Sequence, residues 1–135
     1  MKDFKNVFVK YPTAKKLKEL GFVDPCFSIY NEDYPENGPI GIGKPLNYNN
    51  FEFNKTWRSS PVDDIVSAPM YWQVIDWFER YDIYIYAFRY NGQWQWKFDV
   101  GKHGAEISRD KEFATKYDAF DGAIEKAFTY LTARM

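Results

Sequence analysis

A glycine-rich run, Gly38-Pro39-Ile40-Gly41-Ile42-Gly43-Lys44-Pro45, is the segment of the sequence closest to a nucleotide-binding motif. It matches the pattern G-x-x-x-x-G-K, but it places Pro45 where a phosphate-binding loop needs Ser or Thr to hold magnesium. Proline also disfavours a helical backbone at Lys44, where a helix would have to begin in order to aim its amides at phosphate. We therefore expect a glycine-rich turn or loop here, and no nucleotide or other cofactor.

Neighbouring acids occur twice, at Glu32-Asp33 and Asp63-Asp64. Glycosidase chemistry needs two carboxylates held a defined distance apart across a substrate, which sequence neighbours in loop-like segments do not provide. Solvent-exposed acids are the better interpretation.

Cys26 and His103 are the only cysteine and the only histidine of the chain. They could form a nucleophile and its base, but the sequence supplies no third group to orient them. A single Cys and a single His also exclude a Cys-rich or His-rich metal centre. We therefore predict no catalytic and no metal-binding residues, which favours a protein that is not an enzyme without deciding the question.

The clearest local pattern is a β-hairpin over residues 83–100, closed by Asn91-Gly92. This dipeptide favours a two-residue type I′ turn, in which Tyr90 faces Gln93. Because side chains alternate along a strand, the register divides the hairpin into two faces. The apolar face carries Ile83, Ile85, Ala87, Trp96, Phe98 and Val100, with Arg89 and Trp94 at the tip. The other face, here called the aromatic face, carries Tyr84, Tyr86, Phe88 and Tyr90 opposite Asp99, Lys97, Gln95 and Gln93.

The aromatic face is the candidate binding site. Open to solvent, it would be a platform for stacking bases, sugars or a protein partner, with a cation beside the rings. The alternative is that a helix covers the face, or that tyrosines simply suit a strand and expose their hydroxyls along it. The predicted binding residues are Tyr84, Tyr86, Phe88, Tyr90, Gln95 and Lys97.

Three helices are predicted to position this hairpin. The first begins at a Thr13 cap and ends before Gly21, and the second spans about Pro69 to Tyr81 with Gln73 on its polar side. The third begins at Thr115, where Asp118 completes a pattern similar to a capping box, and Gly122 is expected to face away from the core. Its predicted buried stripe consists of Phe120, Ala123, Ile124, Ala127 and Leu131.

The strands outside the hairpin are harder to place. Residues 26–30 read as a strand, whereas residues 31–67 are irregular, with a short strand suggested where Phe51 and Phe53 alternate with polar residues. The order of elements predicts an α+β fold in a single domain, residues 1–135. We expect an antiparallel sheet of three to five strands that includes the 83–100 hairpin, with the three helices packed mainly on one face.

The charge and hydropathy of the chain bear on which classes of partner it can bind. The chain has 135 residues with 18 Lys and Arg against 19 Asp and Glu, so its net charge of -1 does not favour nonspecific nucleic-acid binding. Six lysines against two acids make residues 1–20 basic, which leaves a nucleic-acid role open. No window approaches the ~20 apolar residues of a membrane span. We expect a cytoplasmic protein that does not bind membranes.

Three segments resemble a group of small uncharacterised proteins of Bacteroides-type bacteria and their phages and mobile elements. Residues 12–22 followed by Pro25-Cys26-Phe27 resemble the opening of those proteins, residues 67–78 their central helix and residues 117–127 their closing helix. The group often has Thr where Met70 stands. The resemblance implies an accessory protein of mobile DNA, and it transfers no functional residues.

Together these observations predict a non-enzymatic binding or protein-interaction accessory protein, which acts on a protein partner or associates with itself. One alternative is a small enzyme with a site between the 31–67 segment and the hairpin. Another is a nucleic-acid-associated accessory factor that uses the basic N-terminal block.

Overall fold

The computed structural model describes residues 7–46, 49, 65–101, 104–107 and 112–134. Its elements confirm the α+β class, and the chain divides into two compact units, Met1–Met70 and Tyr71–Met135. The described helices are α1 (Tyr11–Glu19), α2 (Tyr71–Glu79) and α3 (Lys116–Arg134). The described strands are β1 (Cys26–Asn31), β2 (Ile40–Leu46), β3 (Ile65–Ser67), β4 (Tyr84–Tyr90), β5 (Gln93–Asp99) and β6 (Ala105–Ile107).

Two three-stranded antiparallel sheets take the place of the single sheet that the sequence predicted. The first has the order β2-β1-β3 and the second the order β4-β5-β6. The hairpin therefore lies in a sheet of three described strands, and the other described strands form a separate sheet that the sequence did not predict. The prediction of a single domain over residues 1–135 stays a prediction.

The first unit combines α1 with the sheet β2-β1-β3. Helix α1 begins at Tyr11 rather than at a Thr13 cap, because Pro12 occupies the first turn, where its missing amide hydrogen is harmless. Gly21 ends the helix with a φ of 91°, as predicted for a residue that takes a left-handed backbone. Lys18 donates a hydrogen bond to the Ile65 carbonyl at 2.8 Å and so ties α1 to β3.

Strand β2 contains the glycine-rich run for which the sequence predicted a turn or loop. It pairs antiparallel with β1, and the register shifts between Cys26 and Ser28. Among the described strands β2 is an edge of its sheet, where a proline such as Pro45 is tolerated because one side of the strand needs no ladder hydrogen bonds. Lys44 therefore lies in a strand and not at a helix N-terminus, which removes the geometry of a phosphate-binding loop.

The second unit contains the hairpin, and its register is the predicted one. Tyr90 faces Gln93 and Tyr84 faces Asp99 at the two ends of the β4–β5 ladder. Asn91 and Gly92 have φ values of 51° and 79°, the conformation that a type I′ turn requires. Strand β6 adds to the far side of β5.

Helix α3 packs against β4 and β5 and closes the second unit. Thr115 caps its start, since its hydroxyl accepts a hydrogen bond from the Asp118 amide at 3.1 Å. Two predicted orientations are wrong. Gly122 lies against the Trp96 ring, and Gln73 of α2 is buried, because tertiary packing and not helical periodicity alone decides which positions face the core.

The hairpin turn gives a first test of this fold. Replacing Gly92 with Val should lower the free energy of unfolding by about 1 kcal/mol or more, because a β-branched residue resists a positive φ. No atom outside the turn lies within 4 Å of the position of the added Cβ, so the cost is one of backbone strain. Denaturant unfolding measures it. Gln93→Val, at the exposed first position of β5, should stay near wild type because a β-branched residue suits a strand.

Three sequence predictions fall outside the described residues. They are the short strand around Phe51 and Phe53, the acid pair Asp63-Asp64, and the position of His103. The alternative enzyme site depends largely on the same segment and stays a prediction.

Candidate functional site

The aromatic face carries two well-exposed rings toward the tip of the hairpin. Tyr86 exposes 49% of its surface and Tyr90 exposes 61%. Tyr84 and Phe88, the other two rings of the face, are half-buried. The face therefore combines rings that keep contact with the protein and rings that are available to a second molecule.

Lys97 and Gln95 supply the polar groups of this face. Lys97 lies directly across from Tyr86 in the ladder, and its Nζ is 5.9 Å from the centre of the Tyr86 ring, within cation–π range. Gln95 lies across from Phe88, and both residues are half-buried. The structure thus brings all six predicted residues onto one face, while their role in binding stays a prediction.

An acidic side chain lies beside Tyr84. The Asp82 carboxylate accepts a hydrogen bond from the Tyr84 hydroxyl and adds its negative charge, and both effects raise the pKa of Tyr84. Asp82 has a φ of 62° in the connection from α2 to β4. Asp82 was not predicted from the sequence. An aspartate in a short helix-to-strand connection is only a weak indication, which rests on the fact that Asp tolerates this left-handed backbone better than most residues.

The apolar face of the hairpin is packed, which leaves the aromatic face as its outward side. Ile83, Ile85 and Phe98 are buried. The Phe98 ring contacts Tyr130 of α3 edge to face, with centroids 5.7 Å apart. Burial of this face is the feature that fixes which way the tyrosines point.

The hairpin tip carries a second cation beside a ring. The guanidinium of Arg89 lies 6.0 Å from the centre of the Trp94 ring, and its Nη2 donates to the Gly92 carbonyl at 3.4 Å. Arg89 and Lys97 therefore place two positive charges on a hairpin that has no acid between Tyr84 and Phe98.

Cys26 lies in the core of the first unit. Burial, and to a smaller extent the negative charge of Asp24, raise the pKa of the Cys26 thiol to about 12. The thiol donates to the Asp24 carbonyl, with sulfur and oxygen 3.4 Å apart. A neutral, buried thiol is a poor nucleophile.

Cys26 should accordingly react slowly with a thiol reagent in the native protein and rapidly in denaturant, as an absorbance assay of labelling will show. The reason is twofold, since the side chain is buried and little of it is thiolate at neutral pH. Rapid native labelling at neutral pH would contradict this assignment and restore Cys26 as a candidate nucleophile.

Within the described ranges no group of three or more His, Cys, Asp and Glu side chains is placed to hold a metal ion. None of the described helices has the length and apolar character needed to cross a bilayer.

Comparisons with protein-family models, curated proteins and solved structures gave no significant match.

Proposed function

We propose that the chain is a non-enzymatic binding protein and that the aromatic face of its hairpin engages a protein partner. One observation carries the proposal: Tyr86 and Tyr90 are open to solvent on a strand whose opposite face is buried. Exposed aromatic rings on a rigid element lose little conformational entropy on binding, and tyrosine is enriched in protein interfaces.

The polar groups of the face indicate the chemistry of the partner. Lys97 and Gln95 can donate hydrogen bonds beside the rings, so the partner should offer flat apolar or aromatic groups together with acceptors. The chain has a net charge of only -1, and stacking contacts are short-ranged, so binding should weaken only modestly with salt.

The biological setting that we propose rests on the sequence resemblance. It is that of an accessory protein of a phage or mobile element, which acts in the cytoplasm of a bacterial host. No observation of the described residues favours the enzyme or the nucleic-acid alternative over this function.

The proposal predicts that the double variant Tyr86→Ala, Tyr90→Ala keeps its fold and loses its partner. Circular dichroism should match wild type because both side chains are exposed. An affinity pull-down from the native host, read by mass spectrometry, should lose the proteins that wild type retains. Retention of the same proteins by the folded double variant would overturn the site assignment, and unfolding would show that the face is part of the core.

A control is available in the first unit. Tyr34 exposes 58% of its surface, so Tyr34→Ala removes a comparable ring away from the hairpin and should leave capture unchanged. Nuclease treatment before the pull-down separates a protein partner from the nucleic-acid alternative, because only the latter would be lost with the nucleic acid.

A further inference from the structure

The outer edge of β4 carries backbone amides and carbonyls that point away from β5. In a two-residue hairpin the pair that flanks the turn, Tyr90 and Gln93, is hydrogen-bonded. Alternate residues of β4 therefore point their amides and carbonyls toward β5, and the residues between them point these groups toward the outer edge. The outward-pointing residues are Ile85, Ala87 and Arg89.

A contact on the other side of β5 confirms this alternation. Trp94 faces Arg89 in the ladder, and its amide and carbonyl exchange hydrogen bonds with Phe113, away from β4, with both N···O distances 2.9 Å. The sheet order β4-β5-β6 places no strand on the outer edge of β4 in the part of the chain that the structure describes. Strand β4 also has no proline or lysine, the residues that usually protect an edge from pairing.

Charge is distributed unequally along the hairpin. The tip carries Arg89 and no acid, while Lys97 lies near the middle of the ladder, across from Tyr86. The opposite end, where α2 leads into β4 and β5 ends, carries three acids against Arg80 and against Arg134, whose Nη1 donates to the Tyr81 carbonyl at 2.9 Å. These acids are Glu79, Asp82 and Asp99. Two hairpins lying antiparallel would set each basic tip beside the acidic end of the other, a complementary arrangement.

We propose that this edge pairs antiparallel with β4 of a second copy of the chain, about a twofold axis at Ala87. Ala87 then faces Ala87 of the second copy, and its outward amide and carbonyl complete a hydrogen-bonded pair. Arg89 faces Ile85 of the second copy, on the side of its acidic end. The two sheets become one sheet of six strands, the isologous arrangement of a twofold dimer.

The side chains of β4 are compatible with this register. On the aromatic face, Tyr86 lies opposite Phe88 of the second copy, and Tyr84 lies opposite Tyr90 of the second copy. Aromatic residues directly opposite each other on neighbouring strands stabilise the pair, and no two like charges face each other. The inference goes beyond the proposed function, since the backbone edge of β4 forms the contact and the dimer can form whether or not the aromatic face binds another protein.

Sedimentation analysis tests the proposal with a matched pair of proline variants. Wild type should sediment as a dimer, and Ala87→Pro should sediment as a monomer because it removes an outward amide that the second copy needs. Ala105→Pro is the control: Glu106 pairs with Phe98, so the Ala105 amide points to the other edge of the sheet, and this variant should stay dimeric. A monomeric wild type at high micromolar concentration overturns the proposal, as does a folded Ala87→Pro variant that remains dimeric.

A cysteine variant tests the register and does not depend on how β4 tolerates proline. Cα atoms of a hydrogen-bonded antiparallel pair are about 5.5 Å apart, a separation that a disulfide spans. Ala87→Cys should therefore form a covalent dimer with a mild oxidant on a non-reducing gel. Wild type should not, because its single cysteine, Cys26, is buried. Failure of Ala87→Cys to cross-link overturns the twofold at Ala87.

Discussion

Replacing Phe78 with alanine should lower the free energy of unfolding by about 3–5 kcal/mol, the range for deletion of a fully buried aromatic side chain. Phe78 has no exposed surface and lies at the end of α2, where its ring contacts two others. The centroid of the Trp77 ring is 5.1 Å away and that of Phe128 of α3 is 5.4 Å away. The substitution leaves a cavity between two helices and removes these ring contacts, and denaturant unfolding measures the loss.

The same substitution at a partly exposed position is the control. Phe27 of β1 exposes 37% of its surface, so Phe27→Ala removes the same atoms with less loss of buried area and should cost about 1 kcal/mol. Equal losses of unfolding free energy at the two positions would show that Phe78 is no more buried than Phe27, and the core described above would then be wrong.

Gly122→Ala should destabilise the protein by about 1–3 kcal/mol, the cost of overpacking, even though alanine favours a helix. An added Cβ would lie 2.9 Å from Nε1 of Trp96 and 3.2 Å from Cζ of Phe113. Trp96 is buried and Phe113 is held by backbone hydrogen bonds to Trp94, so neither side chain can yield without disturbing the sheet.

Glu125→Ala is the matched change on the exposed part of α3 and should stay within about 0.5 kcal/mol of wild type. The comparison isolates packing from helix propensity. If Gly122→Ala raised the unfolding midpoint, the close approach of α3 to β5 would be wrong and propensity alone would govern the position.

The features that the sequence predicted well are those governed by neighbours in the chain. Asn91-Gly92 determines the turn, and the turn determines the whole register of β4 and β5. Thr115 caps α3 through the amide of Asp118, three residues later. Gly21 ends α1 in the same local manner. In each case the chemistry of a few consecutive residues is sufficient.

The features that it missed depend on residues far along the chain. Gly122 faces the core because Trp96 needs space there, and helical periodicity contains no information about a tryptophan on another strand. Strand β2 forms from a run rich in glycine and proline because β1 offers a pairing partner at an edge, although intrinsic propensity opposes a strand. The two-sheet arrangement was missed because β3 could not be recognised as a partner of β1.

The candidate site, like the fold, was predictable where it depends on neighbouring residues and not where it depends on distant ones. Its six residues share one face because alternation follows from the register. How far each ring is exposed does not follow from the register, since Tyr86 and Tyr90 are open whereas Tyr84 and Phe88 are half-buried on the same face. The effect of Asp82 on Tyr84 was not predictable, because it requires the left-handed backbone of Asp82 to be known.

The paired strands of the two sheets are separated by very different lengths of chain, and this difference affects the order in which the sheets can form. Strands β4 and β5 are joined by two residues, whereas the pairing of β1 with β3 closes a loop from Asn31 to Ile65. The entropy lost on closing a loop rises with its length. The hairpin can therefore form early, whereas the first sheet can form only after tertiary contacts have brought β1 and β3 together. Substitutions at the Asn91-Gly92 turn should therefore slow refolding, whereas substitutions in β3 should mainly accelerate unfolding.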